Sequence, residues 1–187
     1  ANRQMLTHLV RTRMSELLRA ADGELGFDLV YDVCHNIAKW ETHAIAGRAR
    51  RVCVHRKGAT RAFGPGHAAI PLRYRSVGQP VLVPGDMGRY SFVLAGTERA
   101  MQETFGSSCH GAGRHMSRTK AKAMARGRSI VSELEMKGIF VKSDSLGTLA
   151  EEIPEAYKDV ADVVEVMHDA AIAKKVARIE PLVVIKG

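Results

Sequence analysis

At 187 residues, with 45% apolar side chains, the chain can bury one core or two small lobes and is not compositionally disordered. No uninterrupted apolar run approaches the roughly 20 residues of a membrane-spanning helix, and the start, Ala1-Asn2-Arg3-Gln4-Met5, lacks the apolar block of a signal peptide. Lys and Arg outnumber Asp and Glu by 28 to 20, and a net charge of +8 favours a polyanionic partner, nucleic acid ahead of membrane. Three widely spaced cysteines (Cys34, Cys53, Cys109) fit neither a disulfide framework nor a CxxC zinc site, and they point to a reducing cytoplasm. The lack of an initiator Met is read as a start inside a larger protein.

In chain order, residues 2–20 predict an amphipathic helix. Met5/Leu6, Leu9/Val10, Met14 and Leu17/Leu18 recur at helical steps with arginines between them, and Asp22-Gly23 is the expected stop. Residues 28–34 read as either strand or helix. From about 50 to 110 the pattern changes to short strands and glycine turns. Val52 to His55 alternates, Gly64-Pro65-Gly66 breaks, Val81-Leu82-Val83 enters the turn Pro84-Gly85-Asp86, and Ser91 to Leu94 resumes as strand. Gly106 to Gly113 reads as a loop and 114–137 as helix. A further helix is expected over 159–175 and an apolar strand over Leu182-Val183-Val184-Ile185. With no repeat, low-complexity tract or linker, the expectation is one α+β unit of mixed sheets with packed helices.

The densest chemistry lies in Phe105-Gly106-Ser107-Ser108-Cys109-His110-Gly111-Ala112-Gly113-Arg114. Small neighbours leave the His110 imidazole approachable. Glycines let consecutive backbone N–H groups form an anion nest, and a helix N-terminus is expected to follow. The loop is either a phosphate cradle beside a nucleophile or a tight strand-to-helix turn. Arg114, Arg118, Lys120, Lys122, Arg126 and Arg128 place six cations within fifteen residues, either a solvated helical face or an RNA backbone contact. His35, beside Asp32 and Cys34, is either structural or one ligand of a metal completed from elsewhere. The basic stretch His55 to Arg61 suggests a phosphate contact but is no Walker A loop. Pro84 to Gly88, with Ser91, forms a nucleotide-lining turn or a plain hairpin turn.

Together these segments carry a resemblance. Asp32-Val-Cys-His-Asn-Ile-Ala38, Arg56-Lys-Gly-Ala59, Pro84-Gly-Asp-Met-Gly88, Ser107-Ser-Cys-His-Gly-Ala-Gly-Arg114, Met116-Ser-Arg-Thr-Lys-Ala-Lys122, Ile153-Pro-Glu-Ala-Tyr-Lys-Asp159 and Val-Ile-Lys-Gly187 resemble the RtcB family of tRNA-splicing RNA ligases, in the family's order. The likeness spans nearly all of residues 1–187 and implies the C-terminal portion of the RtcB-type fold. It implies a cytoplasmic, GTP- and Mn²⁺-dependent ligase, acting in tRNA splicing or RNA repair. Such a ligase joins RNA ends bearing a 2′,3′-cyclic phosphate or 3′-phosphate to a 5′-hydroxyl through a histidine–GMP intermediate. Matched residue by residue, His110 is implied as the nucleophile, His35 as a manganese ligand, and Asn36 as a neighbour of the nucleotide. Pro84, Gly85, Asp86, Met87, Ser91, Gly111, Ala112, Gly113, Tyr157 and Lys186 fall at implied guanine-nucleotide contacts, with Arg114, Arg118, Lys120 and Lys122 as RNA contacts. The family's other metal ligands lie in an N-terminal half that this sequence does not contain, so that half is an expected partner. Alternatives are a non-catalytic basic RNA-binding module and a metal-dependent phosphohydrolase.

Overall fold

The computed structural model describes residues 2–21, 23–142 and 146–180, in two compact units. The first runs from the N-terminus to Asp32 and holds α1 (Asn2–Leu18), the helix expected there. It stops at Leu18, ahead of Asp22-Gly23, because Arg19 turns left-handed with φ 51°. No residue of α1 is buried, and Met5, Leu9, Leu17 and Leu18 stay exposed. Arg3 pairs with Asp32 at 2.5 Å, and an Arg11 guanidinium nitrogen donates to the Phe27 carbonyl at 3.2 Å. The stretch 28–34 is neither strand nor helix. Leu29 and Val30 are exposed, and Val33 alone of its apolar residues is buried.

The second unit, from Val33 onward, opens with a long antiparallel hairpin, β1 (Asn36–Ile45) and β2 (Arg48–Lys57). Its tight turn, Ala46-Gly47, has φ of 49° and 74°, the left-handed pair that matches strand twist. Next come β3 (Ala59–Arg61), β4 (Pro80–Val83) and β5 (Ser91–Gly96). After α2 (Glu98–Glu103) comes β6 (Ser107–Cys109), which pairs antiparallel with β3, so the expected 106–113 loop is strand for half its first part. The expected helix over 114–137 is two short helices, α3 (Arg118–Met124) and α4 (Ile130–Glu135). Ser117 and Ser129 start them by accepting backbone N–H bonds, and Gly127 at φ 78° separates them. They are followed by α5 (Leu146–Glu151), α6 (Val160–Asp169) and β7 (Ala173–Ile179). Helix α6 thus ends short of 175, where Ala171 (φ 56°) reverses the chain into β7. The strand expected over 182–185 lies outside the described residues.

Two apolar clusters hold this α+β unit. In the first, Val81 and Val83 point inward from β4 at alternate positions and pack with Leu94, Val160, Val164 and Ile172. This cluster seats α6 on the sheet of order β4-β5-β7. Asp159 starts α6 by accepting the Ala161 N–H at 2.9 Å. The second cluster joins α3, α4 and α5 through Ala121, Ala125, Ile130, Leu134, Leu149 and Ile153. Where β5 ends, backbone meets backbone: a Cβ on Gly96 would stand 2.3 Å from the Ala62 carbonyl carbon.

Gly96→Ala is therefore expected to lose about 3 kcal/mol or more, because no side chain can yield. Gly127→Ala meets nothing within 4 Å and carries only the left-handed backbone cost, about 1 kcal/mol. Urea denaturation of both variants should separate them in that order.

Candidate functional site

The site is organised around the peptide of Gly58, between β2 and β3. The Gly58 N–H donates to the His35 carbonyl at 2.9 Å, and the Gly58 carbonyl accepts the His110 N–H at 3.3 Å. One residue therefore holds the backbones of both histidines, through the two peptide groups that flank its Cα. Their imidazoles lie face to face, ring centres 4.0 Å apart and planes 8° from parallel. His35 is exposed and His110 half-buried. Asn36 opens β1 opposite Lys57, adjoining this pair.

Two further segments converge on the residues after His110. Gly111 lies against Pro84, where an added Cβ would be 3.4 Å from the Pro84 carbonyl oxygen. The Gly113 carbonyl accepts the Lys158 N–H at 3.0 Å, and Arg114 and Tyr157 form a β-bridge. The structure thus gathers His35, His110, Gly111 to Gly113, Pro84 and Tyr157. Lys186 lies outside the described residues. No helix begins directly after the loop: α3 starts only at Arg118, and the Ser117 hydroxyl accepts the Lys120 N–H at 3.2 Å. The expected helix N-terminus is therefore displaced from the loop.

The Pro84 turn is internally braced. The Ser91 hydroxyl accepts the Gly85 N–H at 3.2 Å, and buried Asp86 accepts the Gly88 N–H at 2.8 Å. Asp86 also pairs with Arg89 at 2.9 Å, and Arg89 reaches Asp159 at 3.0 Å. The Asp86 carboxylate thus shapes the turn that carries Met87.

Arg114 is deeply engaged. It donates to the Met116 carbonyl (3.1 Å), the Glu151 carbonyl (2.7 Å), the Tyr157 hydroxyl (3.0 Å) and Glu152 (3.3 Å). Its guanidinium also lies 4.9 Å from the Tyr157 ring centre. Burial and a hydrogen bond to Glu152 push the Tyr157 hydroxyl above its ordinary pKa, so it remains a donor. Arg118 and Lys122 both pair with Glu151, at 3.2 and 2.7 Å, while Lys120 is exposed. Lys122, donating to it, holds the Glu151 carboxyl below the usual range. Cys109, next to His110, has its thiol pushed up by burial, which makes it a poor thiolate nucleophile.

One cation of the basic stretch 55–61 differs from its sequence reading. Arg56 is buried and engaged in a network with Glu41 at 2.7 and 2.8 Å, the Ser107 hydroxyl at 2.8 Å and the Phe105 carbonyl at 2.8 Å. Buried His43 reaches the same Glu41 at 3.0 Å. An ionised carboxylate only accepts, so the His43 Nε2 carries the hydrogen. Sequence inspection missed Glu41 and His43. The available signal was the Ala46-Gly47 hairpin turn, whose register puts Glu41, His43 and Arg56 on one face.

For a metal, His35 offers one imidazole nitrogen, a donor that suits a divalent transition ion. Among the described residues, no group of three or more His, Cys, Asp or Glu side chains is placed to hold an ion. His35 therefore fits as one member of a donor set that these residues do not complete.

A family model described as tRNA-splicing ligase RtcB matches residues 1–187. The chain is 55% identical over 186 residues to a tRNA-splicing ligase RtcB of Archaeoglobus fulgidus, covering 100% of this chain and 39% of that relative. It is 51% identical over 187 residues to one of Methanococcus maripaludis, again covering 100% and 39%. Against one of Pyrococcus furiosus the identity is 57% over 188 residues, covering 100% of this chain and 19% of the relative. The chain belongs to the RtcB family, and it spans 39% or less of the length of these relatives.

Burial alone would raise the Glu41 pKa, but Arg56 and His43 outweigh it and hold the carboxyl below its ordinary value. A depressed folded pKa gives stabilisation that is complete above the unfolded value and lost as pH falls through the folded one. Glu41→Gln should cost about 3 kcal/mol at neutral pH by leaving Arg56 buried without its counter-charge. The gap from wild type should shrink as pH falls below the carboxylate range, about pH 4. Urea midpoints measured at both pH values check this; a constant gap would contradict it.

Proposed function

We propose that the chain is the nucleophile-bearing portion of a GTP- and Mn²⁺-dependent RNA ligase. In this reading it joins RNA 2′,3′-cyclic phosphate or 3′-phosphate ends to 5′-hydroxyl ends, in tRNA splicing or RNA repair, in the cytoplasm. The observation that carries the reading is the stacked His35–His110 pair, set by the backbone of one residue, Gly58, at the edge of a glycine-rich loop. Family membership supplies the reaction class.

The neutral imidazole of His110 attacks the α-phosphorus of GTP. A P–N bond forms, the bond to the β-phosphate oxygen breaks, and pyrophosphate leaves. A 2′,3′-cyclic phosphate is first opened by water, which breaks the bond from phosphorus to the 2′-oxygen and leaves a 3′-phosphate and a 2′-hydroxyl. The RNA 3′-phosphate then attacks the same α-phosphorus, the P–N bond breaks and His110 is regenerated. The 5′-hydroxyl attacks the activated 3′-phosphate, a phosphodiester forms and GMP leaves. Mn²⁺, held in part by His35, would supply charge neutralisation at the phosphates. The parallel ring of His35 limits the rotation of His110, so its attacking nitrogen faces one direction. Gly111 to Gly113 give the triphosphate backbone access without side-chain obstruction. The Pro84 to Met87 turn, Ser91, Asn36, Tyr157 and Lys186 bind the guanine nucleotide; the Tyr157 hydroxyl donates to Glu152 and accepts from Arg114, which leaves its ring to meet the nucleotide. The remaining portion of the ligase is the partner that completes the metal site.

With α-labelled GTP and Mn²⁺, the chain alone should take up little label. Supplied with the missing portion of a full-length relative, it should acquire acid-labile label on His110. Label persisting in His110→Ala would refute the nucleophile assignment.

Arg118, Lys120 and Lys122 act as RNA backbone contacts, tempered by Glu151, which pairs with two of them. Replacing all three by Ala should flatten the salt dependence of RNA affinity, and Glu151→Gln should tighten binding at low salt. Fluorescence anisotropy across a salt series measures both; an unchanged slope would remove these cations from the RNA path.

A further inference from the structure

The geometry points to the buried network of Arg56, Glu41 and His43 as the positioning device that aligns His110 with His35. This inference rests on the reading of His110 as the nucleophile. It concerns residues that touch neither the ring of His110 nor that of His35 in any contact described above.

Phe105 and Gly106 are consecutive left-handed residues, φ 52° and 60°, that turn the chain from α2 into β6. For Phe105 this conformation is unfavourable by roughly 1–2 kcal/mol. At Gly106 no other residue fits, since a Cβ would lie 2.4 Å from the Phe63 ring. Arg56 braces this turn from both sides, donating to the Phe105 carbonyl and the Ser107 hydroxyl, each at 2.8 Å. Its other hydrogen bonds go to the two carboxylate oxygens of Glu41, which His43 fixes in turn, and its guanidinium lies 5.8 Å from the Phe63 ring centre. His43 sits edge-on to the Phe105 ring, centres 5.3 Å apart, so the network returns to the residue it braces.

Strand β6 has three residues and, among the described residues, pairs with β3, Ala59 opposite Cys109 and Arg61 opposite Ser107. The short ladder is continued by the Ala62 N–H to the Gly106 carbonyl at 2.7 Å, and the Thr104 hydroxyl holds the Ser107 backbone. Arg56, two residues before Gly58, adds the tie between the Ser107 side chain and the end of β2. The Gly58 peptide then receives the His110 N–H, and the two rings stack. A lysine would retain the positive charge but has one nitrogen where the guanidinium uses three in four directed bonds.

The test reads alignment separately from chemistry. In the 187-residue chain, the His110 ring resonances carry the ring-current shift of His35, calibrated by His35→Ala. Arg56→Lys is expected to move them toward their positions in His35→Ala. Val164→Ala, a core truncation in the first apolar cluster, should lower stability and leave them in place. In the complemented ligase, Arg56→Lys should slow His110 labelling by roughly tenfold or more while the GTP KM changes by less than about twofold. Folded Arg56→Lys with wild-type ring resonances would overturn the inference. So would an equal displacement in Val164→Ala. If Arg56→Lys does not fold, Ser107→Ala, which removes one contact, decides by the same shifts. Absence of label in the wild-type complex would defeat the ligase reading instead, leaving the ring shifts to judge alignment.

Discussion

The arrangement depends on the two backbone hydrogen bonds of Gly58, one to the backbone of His35 and one from that of His110. Gly58 itself is exposed, and its N–H and carbonyl are taken up by the two residues whose side chains stack. The hairpin β1–β2 ends at Lys57 and β3 begins at Ala59, so the peptide between them is anchored on both sides by strand pairing. Ring alignment is therefore a consequence of backbone geometry. Two exposed or half-exposed imidazoles would otherwise sample several rotamers, and the entropy of fixing them is met by the sheet. The second anchor of the loop, Gly113 to Lys158, ties it to the segment carrying Tyr157.

Electrostatics divides the cations by role. The chain carries 28 Lys and Arg, yet the most basic stretch of sequence is not one uniform face. Arg114 is bound to two carbonyls, a carboxylate and a phenol, which suits it to holding Tyr157 in place as well as to meeting an anion. Arg128 pairs with Glu133 and Glu155 at 2.6 and 2.8 Å. Arg118, Lys120 and Lys122 remain at the surface with only Glu151 opposing them. A polyanion approaching α3 therefore meets a net positive patch, and salt screens that attraction within about 10 Å.

Much of this was legible in the sequence, and the failures have specific causes. The alternation at Val81 and Val83, the break at Gly64-Pro65-Gly66 and the helix before Arg19 followed from local pattern. The histidine loop was visible because small residues around His110 have few other uses. The segment 114–137 misled because α3 and α4 share helical composition, and only the backbone conformation at Gly127, with serine caps on both helices, divides them. Strand β6 was hidden because three residues show no period; β3, on which it pairs, lies nearly fifty residues away in sequence. Arg56 looked like a phosphate ligand since it stands in the basic run His55 to Arg61. Its burial follows from strand alternation, which required recognising the hairpin first.

The buried Arg56–Glu41 pair shows why stability alone does not account for the site. Removing charges from water costs several kcal/mol each, and such a pair often contributes less net stability than apolar residues of similar volume. Apolar substitutes, however, would leave the Phe105 carbonyl and the Ser107 hydroxyl without the donors that now reach them. Those two acceptors lie in the turn that feeds β6, where shape cannot be set by packing because Phe105 remains 44% exposed. Directed hydrogen bonds from a planar group therefore do what an apolar core cannot at this point. They specify one backbone path among several of similar energy. The second apolar cluster, built on α3, α4 and α5, needs no such device, since Leu134 and Ile153 are almost fully enclosed and packing alone defines their positions. The polar network stands immediately before His110, beside the buried Phe63 ring.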